Sequence, residues 1–271
     1  MVKAVNPQSS GPERAKGPVD KALDLLGALV RPGGPHRLAD IARQTGLTKP
    51  TVHRLLQTMA ETGFAAAEGG AYRVGPRLLA MAAAALADSE EIQCVRPVLA
   101  DLQSRTGQTV LFAVRQGAEA LYVEKVEPAH GYRMTSRVGG EVPLYCTAVG
   151  RAILSALPDD DVAEILGGEP LPARTPRTLT DPAAIREASA SASGYFVEDE
   201  EYELDVRSIA APVLDRDGQV FGAIGLSGLT FTLDDASIEV FGPIVRATTG
   251  RVSAALAENS PGLGVIKGGR D

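Results

Sequence analysis

Leu38-Ala39-Asp40-Ile41-Ala42-Arg43-Gln44-Thr45-Gly46-Leu47-Thr48-Lys49-Pro50-Thr51-Val52-His53-Arg54-Leu55-Leu56-Gln57-Thr58-Met59 is the stretch on which the reading of this chain turns. Leu38, Ile41 and Ala42 share one face of a short first helix, and Gly46 suits a left-handed turn that a side chain would oppose. A second helix opens at Thr48, expected as its N-cap, with Pro50 in the first turn. Val52, Leu55, Leu56 and Met59 follow the i, i+3, i+4, i+7 spacing of a core-facing stripe. Ala42 is small where two steeply crossing helices must touch, and Ile41, Leu47, Val52 and Leu55 are expected to fill the space between them. The opposite face of the second helix carries Pro50, Arg54 and Gln57, flanked by Thr51, His53 and Thr58. That is the pattern of a helix-turn-helix whose second helix enters a major groove, where Arg and Gln reach base edges. The expected DNA contacts on this helix are Thr48, Lys49, Pro50, Thr51, His53, Arg54 and Gln57.

On the N-terminal side, Val19–Val30 predicts a helix with Leu23, Leu26 and Val30 at helical spacing, stopped by Pro32-Gly33-Gly34-Pro35. On the C-terminal side, Phe64–Val74 has strand-like ends around Gly69-Gly70, a hairpin that forms a wing and adds Arg73 to the DNA set. Charge follows the same division. Residues 16–78 hold nine Lys/Arg against five Asp/Glu, a net of +4, whereas residues 79–271 hold 16 against 28, a net of −12. A positive module joined to an acidic one fits a chain of which only one part meets phosphate.

The remainder predicts a second, larger α+β domain. Pro76–Ala87 reads as a linker helix suited to packing against a partner subunit, and Glu90–Arg105 as a helix burying Ile92, Val95, Leu99 and Leu102. Strands are expected at Val110–Val114, Ala120–Val126, Tyr132–Val138, Ser208–Leu214 and Val220–Ser227, in a mainly antiparallel sheet. Helices are expected at Gly150–Leu157, Asp159–Leu166, Ala183–Ala192 and Asp234–Glu258. The domain limits are therefore an unstructured tail at 1–17, the winged helix-turn-helix at 18–77, the linker helix at 78–90, the larger domain at 91–259 and a second tail at 260–271.

Three separated segments resemble one family. They are Leu47–Leu56, the run Gly139–Ser155 (GGEVPLYCTAVGRAILS) and Gly194–Gly228 (GYFVEDEEYELDVRSIAAPVLDRDGQVFGAIGLSG). In that order they are similar to the isocitrate-lyase regulator (IclR) family of bacterial transcription factors. The resemblance implies a winged-helix domain, a linker helix and a GAF-like effector-binding domain. It also implies homodimers that pair into dimers of dimers on double-stranded promoter DNA, with small organic molecules as effectors. In similar proteins, positions matching Val142, Ala148, Val149, Glu198, Ser208, Gly225 and Ser227 border the effector. Several relatives have cysteine at the position of Ser208, and aspartate is common at that of Glu198.

The residues themselves point to the same region. Val142–Gly150 runs from a strand end into a helix start, where backbone N–H groups favour an anion such as a carboxylate, enclosed by apolar residues such as Val142, Leu144 and Ile224. Tyr145 and Cys146 read as core packing, and most of Glu198–Glu203 as a solvated acidic loop.

Competing classes find little support. Of three histidines, His36 and His53 lie in the DNA-binding part, leaving His130 as the centre of any hydrolase or zinc site. No HExxH, CxxC, GxSxG or phosphate-loop motif occurs in a suitable context. A metal-sensing repressor using Cys94, Cys146 and His130 has no ligand pair spaced on one element. Neither a cofactor nor a metal is expected. Two cysteines imply no disulfide framework, and no apolar run reaches the ~20 residues of a membrane span, so a cytoplasmic repressor without catalytic residues is the expectation.

Overall fold

Three helices, α1 (Pro18–Leu29), α2 (Leu38–Thr45) and α3 (Lys49–Glu61), enclose a core of Leu25, Leu29, Ile41, Val52, Leu56 and Met59. They belong to a computed structural model that describes residues 16–31, 33–129, 134–190 and 193–259. Its two units meet between Asp88 and Ser89. Gly46 ends α2 at φ 69°, the left-handed conformation that the turn demands. Leu47 and Leu55 pack against this core from partly buried positions. β1 (His36–Arg37), β2 (Ala65–Glu68) and β3 (Ala71–Val74) form an antiparallel sheet in the order β1-β3-β2. Gly69 and Gly70, both at positive φ, make the two-residue wing turn. α4 (Pro76–Asp88) follows. β1 was not expected, because two residues carry no periodicity.

Three local expectations are corrected in this unit. Thr48 holds the extended N-cap conformation, but its hydroxyl bonds Thr51 Oγ1 at 2.9 Å and caps no backbone N–H. Leu23 and Val30 are each 59% exposed, and α1 buries Leu25, Ala28 and Leu29 instead. The helix is apolar around most of its girth, so spacing alone did not select the buried side. Gly17, assigned above to the tail, is the N-cap of α1, its N–H bonding Asp20 Oδ2 at 2.8 Å. The remaining tail residues, 1–15 and 260–271, lie outside the described residues.

The second unit runs α5 (Glu90–Thr106), β4 (Thr109–Gln116), β5 (Glu119–Val126), β6 (Glu141–Pro143), α6 (Ala148–Leu154), α7 (Asp159–Leu166), α8 (Pro182–Ala188), β7 (Phe196–Asp199), β8 (Val206–Leu214), β9 (Val220–Leu229) and α9 (Asp235–Asn259). Its six-stranded sheet, in the order β6-β5-β4-β9-β8-β7, is antiparallel throughout. The strand period of two sorts the sides. Val110, Phe112, Ile209, Ala211, Ile224 and Leu226 join Val95, Leu99, Val245 and Val252 of α5 and α9 in one core layer. Leu111, Ala113, Ala120, Tyr122, Ala210 and Ala223 join Ala148, Val149, Ala152 and Ile153 of α6 in the other, with Val162 of α7 and Ile185 of α8.

The expected strand Tyr132–Val138 is not one. Tyr132 and Arg133 lie outside the described residues, Met134–Val138 is irregular, and the edge strand comes later, at Glu141–Pro143. Lys125 of β5 spends its ammonium on the carbonyls of Met134 and Ser136, which leaves that segment tied by a side chain rather than by a ladder. α8 ends at Ala188, short of the expected Ala192, and residues 191–192 are outside the described set. β7 went unforeseen because its glutamate and aspartate read as loop.

Candidate functional site

α3 presents Thr48, Lys49, Pro50, His53, Arg54 and Gln57 as exposed residues around its N-terminal half, with Thr51 partly exposed among them. Val52, Leu56 and Met59 are buried on the other side, so the core fixes which face the helix shows. The Arg54 and Gln57 side chains stand one turn apart on that face, the spacing at which two side chains reach successive base pairs. Arg73, on the wing, is exposed but lies 3.2 Å from Glu68 in an ion pair. An exposed pair of this kind contributes little, about 0–1 kcal/mol, so it yields readily to a phosphate. Arg77, just beyond the wing, stacks on Phe64 at 5.1 Å and donates to the Thr62 carbonyl.

In the second unit a cavity of about 200 Å³ lies between the sheet and α6. Val142, Ala148, Val149, Glu198, Ser208, Gly225 and Ser227 all line it. The sheet opens this space by register. Ser208 of β8 faces Ser227 of β9, and Ala210 faces Gly225, so small side chains meet α6 here. The two serine hydroxyls bond each other at 2.9 Å. A Cβ on Gly225 would lie 2.9 Å from Val149 Cγ1, which is why glycine lets α6 come this close. Thr147 caps α6, accepting the Gly150 N–H at 3.1 Å and donating to the Pro143 carbonyl at 2.7 Å. Ala148 and Val149 precede that capped N–H.

Two expected enclosing residues are absent from the lining. Ile224 alternates to the α5–α9 side of the sheet, and Leu144 is buried in the layer beneath α6. Cys146 is fully buried and does not line the cavity, in keeping with core packing. Burial pushes its thiol up to about 11, so it is not a thiolate at neutral pH.

The acidic run Glu198–Glu203 is not a solvated loop. Glu198 is 2% exposed, and its Oε1 accepts the N–H groups of Glu201 (2.6 Å) and Tyr202 (3.0 Å). Glu201 is buried as well, its carboxylate held by the guanidinium of Arg151 from α6. Burial raises the Glu198 carboxyl to about 7, against the opposing pull of the two N–H groups and the Ser208 hydroxyl. Tyr122, Ser136, Arg137, Thr147 and Tyr202 also line the cavity and were not foreseen. Tyr122 was within reach, since the alternation along β5 turns it to the same side as Ala120. The loop holding Ser136 and Arg137 carries no pattern that would have located it.

Residues 18–69 match the IclR helix-turn-helix domain, and residues 83–254 match the bacterial transcriptional regulator IclR C-terminal family. The chain belongs to the IclR family. Transcriptional repressor IclR of Escherichia coli (strain K12) is 31% identical over 241 residues, covering 87% of this chain and 88% of that protein. The HTH-type transcriptional regulator XynR of the same organism is 32% identical over 227 residues, covering 82% and 90%. The crystal structure of the Thermotoga maritima IclR, 26% identical, superposes with a TM-score of 0.71 over 88% of this chain and 98% of that one. This IclR-family member is a DNA-binding transcriptional regulator, and the family is not enzymatic. His130, on which a hydrolase or zinc site would have centred, lies outside the described residues. Among the described residues no cluster of three or more His, Cys, Asp and Glu could hold a metal, and no helix is long and apolar enough to cross a membrane.

Proposed function

We propose that this regulator is a cytoplasmic repressor whose grip on its operator is controlled by a small organic acid bound between α6 and the sheet. The observation that carries the reading is the cavity itself, which gathers Val142, Ala148, Val149, Glu198, Ser208, Gly225 and Ser227 around one pocket open to solvent at its rim. Its apolar walls supply enclosure, and its hydroxyls supply orientation. Catabolic and amino-acid-derived carboxylates fit that volume and that chemistry. On the DNA side, Thr48, Lys49, Pro50, Thr51, His53, Arg54 and Gln57 of the α3 region contact the operator, with Arg73 of the wing on adjacent phosphate.

The active species is a homodimer, two of which pair on DNA. α1 and its C-cap leave Val19, Leu23 and Val30 exposed, and α4 leaves Leu79 and Met81 exposed. Apolar residues repeated along exposed helices of a DNA-binding unit suit contact with a second copy, which would set two recognition helices about one DNA turn (~34 Å) apart.

The test is a thermal-shift screen of monocarboxylic acids against the purified protein, followed by operator-binding assays with each hit. Hits that raise the melting temperature and weaken operator binding are expected. If no acid that stabilises the protein alters operator binding, the cavity does not control the DNA-binding unit and the proposal fails.

A further inference from the structure

An anion bound in this cavity meets a carboxyl group that has nowhere to discharge its own charge. Glu198 lies in the wall, 2% exposed, and among the described residues no Lys or Arg pairs with it. Each element around it offers a neutral or an acidic group. β5 contributes the Tyr122 phenol, and the loop before β6 contributes the hydroxyls of Thr135 and Ser136. β8 and β9 contribute Ser208 and Ser227. The Cys146 thiol stays protonated, and the loop after β7 contributes Glu201, Tyr202 and Glu203. Arg151 of α6 commits both Nη atoms to Glu201. Arg137 and Glu141 are exposed at the rim, one of each sign.

We propose, resting on the effector reading above, that a carboxylate binds only to the form with Glu198 protonated, so that at alkaline pH Glu198 takes up one proton from solvent for each carboxylate and the two enter together. No covalent bond forms or breaks in the effector. The Glu198 carboxylate gains H⁺ on Oε2, since Oε1 already accepts two backbone N–H groups. The resulting carboxylic acid donates to the bound carboxylate instead of repelling it. The wall also holds a neutral donor that an anion can use. Ser136 Oγ is buried with no hydrogen-bond partner, whereas the Ser208 hydroxyl is shared between Ser227 and Glu198. The Ser136 hydroxyl is a donor awaiting an acceptor. Glu198 ordinarily titrates near 7, so at neutral pH the proton is available at little cost.

The sign follows directly. Well below pH 7 Glu198 is already protonated and affinity is flat with pH. Above it, each unit lowers the protonated fraction of the free protein about tenfold, so the dissociation constant rises about tenfold per unit. Calorimetric titration of the full-length protein with acetate, lactate, butyrate and benzoate, all ionised throughout pH 6–9, reads this. For whichever saturates, titrations at pH 8.5 in two buffers of different ionisation heat should count close to one proton taken up per ligand. Glu198→Gln, which keeps both acceptor and donor capacity without charge, should bind that acid at pH 8.5 at least about tenfold more tightly than the parent, with little change from pH 6. Uptake near zero, or affinity that rises with pH, overturns the proposal while leaving the cavity as the effector site. If none of the four acids binds, both this proposal and the acid-effector reading fall. The buffer-dependence measurement uses the unaltered chain, so it stands even if Glu198→Gln does not fold.

Discussion

Arg151 of α6 and Glu201 of the loop after β7 form a buried ion pair across fifty residues of sequence, with Arg151 Nη1 donating to Glu201 Oε1 at 2.7 Å and Nη2 bonding Oε2. Arg151 also donates to the Val197 carbonyl at 3.3 Å, while the Glu201 N–H turns back to Glu198 in the cavity wall. The carbonyl of Glu201 accepts the Thr178 hydroxyl at 2.6 Å. One guanidinium thus ties the helix that forms one wall of the cavity to the strand and loop that form another.

Removing one partner leaves the other charged and dry. Glu201→Ala should therefore cost on the order of 3–5 kcal/mol, far above an exposed pair. The double variant Arg151→Met/Glu201→Leu should recover a large part of that, since no isolated charge remains. Urea denaturation of the parent and the two variants checks this; a double variant no more stable than Glu201→Ala would mean that an isolated charge is not what costs the single variant its stability.

The recognition face makes a second expectation. Arg54→Ala and Gln57→Ala remove exposed side chains opposite the buried stripe, so stability should hold within ~0.5 kcal/mol. Operator affinity should fall by ~1–3 kcal/mol for each, relaxing preference at the contacted base pair. Lys49→Ala should instead weaken all sequences alike and flatten the salt dependence. Fluorescence anisotropy with operator and scrambled duplexes separates these outcomes. Equal operator affinity in the parent and both base-contact variants would place recognition elsewhere.

How much of this was legible beforehand depended on whether a residue's role is local. The α2–α3 turn was readable because Gly46, Ala42 and the 3.6-residue stripe each state their geometry within a few positions. The buried side of α1 was not, since Leu23 and Leu25 are equally apolar and only packing against α2 and α3 distinguishes them. In the cavity, the resemblance to similar proteins brought together residues from β6, α6, β7, β8 and β9 that no sequence spacing relates. What neither spacing nor resemblance revealed was chemical state. Glu201 looks like a solvated acid until Arg151 is seen to hold it inside, and the burial of Glu198 behind two backbone N–H groups is equally invisible in the sequence.

Gly150 supplies a steric prediction. A Cβ there would lie 2.2 Å from the Leu144 carbonyl oxygen and 2.4 Å from its Cα, both backbone atoms in the segment leading into α6. Gly150→Ala must push α6 off that segment, at a cost of ~1–3 kcal/mol or more, and should lower effector affinity by displacing Ala148 and Val149. Gly250, in α9, is the control. A Cβ there meets nothing within 4 Å, so Gly250→Ala should stabilise by ~0.5–1 kcal/mol through helix propensity alone. Melting temperatures moving in opposite directions are expected, and a harmless Gly150→Ala would refute the close approach.

Glu198 makes the stability of the effector-binding unit depend on pH even without a ligand. Its carboxyl rises from an ordinary 4.5 to about 7 on folding, chiefly because burial disfavours the charged form. The folded chain therefore holds a proton that the unfolded chain releases between those values. Stability from this group is complete below about 4.5, is lost progressively as pH rises to about 7, by an amount on the order of 3 kcal/mol, and changes no further above that. Glu198→Gln keeps the two N–H contacts on its amide oxygen and cannot ionise. The variant should come closest to the parent below pH 4.5 and exceed it above pH 7, so the gap between their urea midpoints should widen from about pH 4.5 to 7 and then hold level to pH 8.5. Taking the difference between the two proteins cancels every other titrating group that the substitution leaves alone. A gap that stays constant from pH 5 to 8.5 would mean that the buried carboxyl titrates as it does in water.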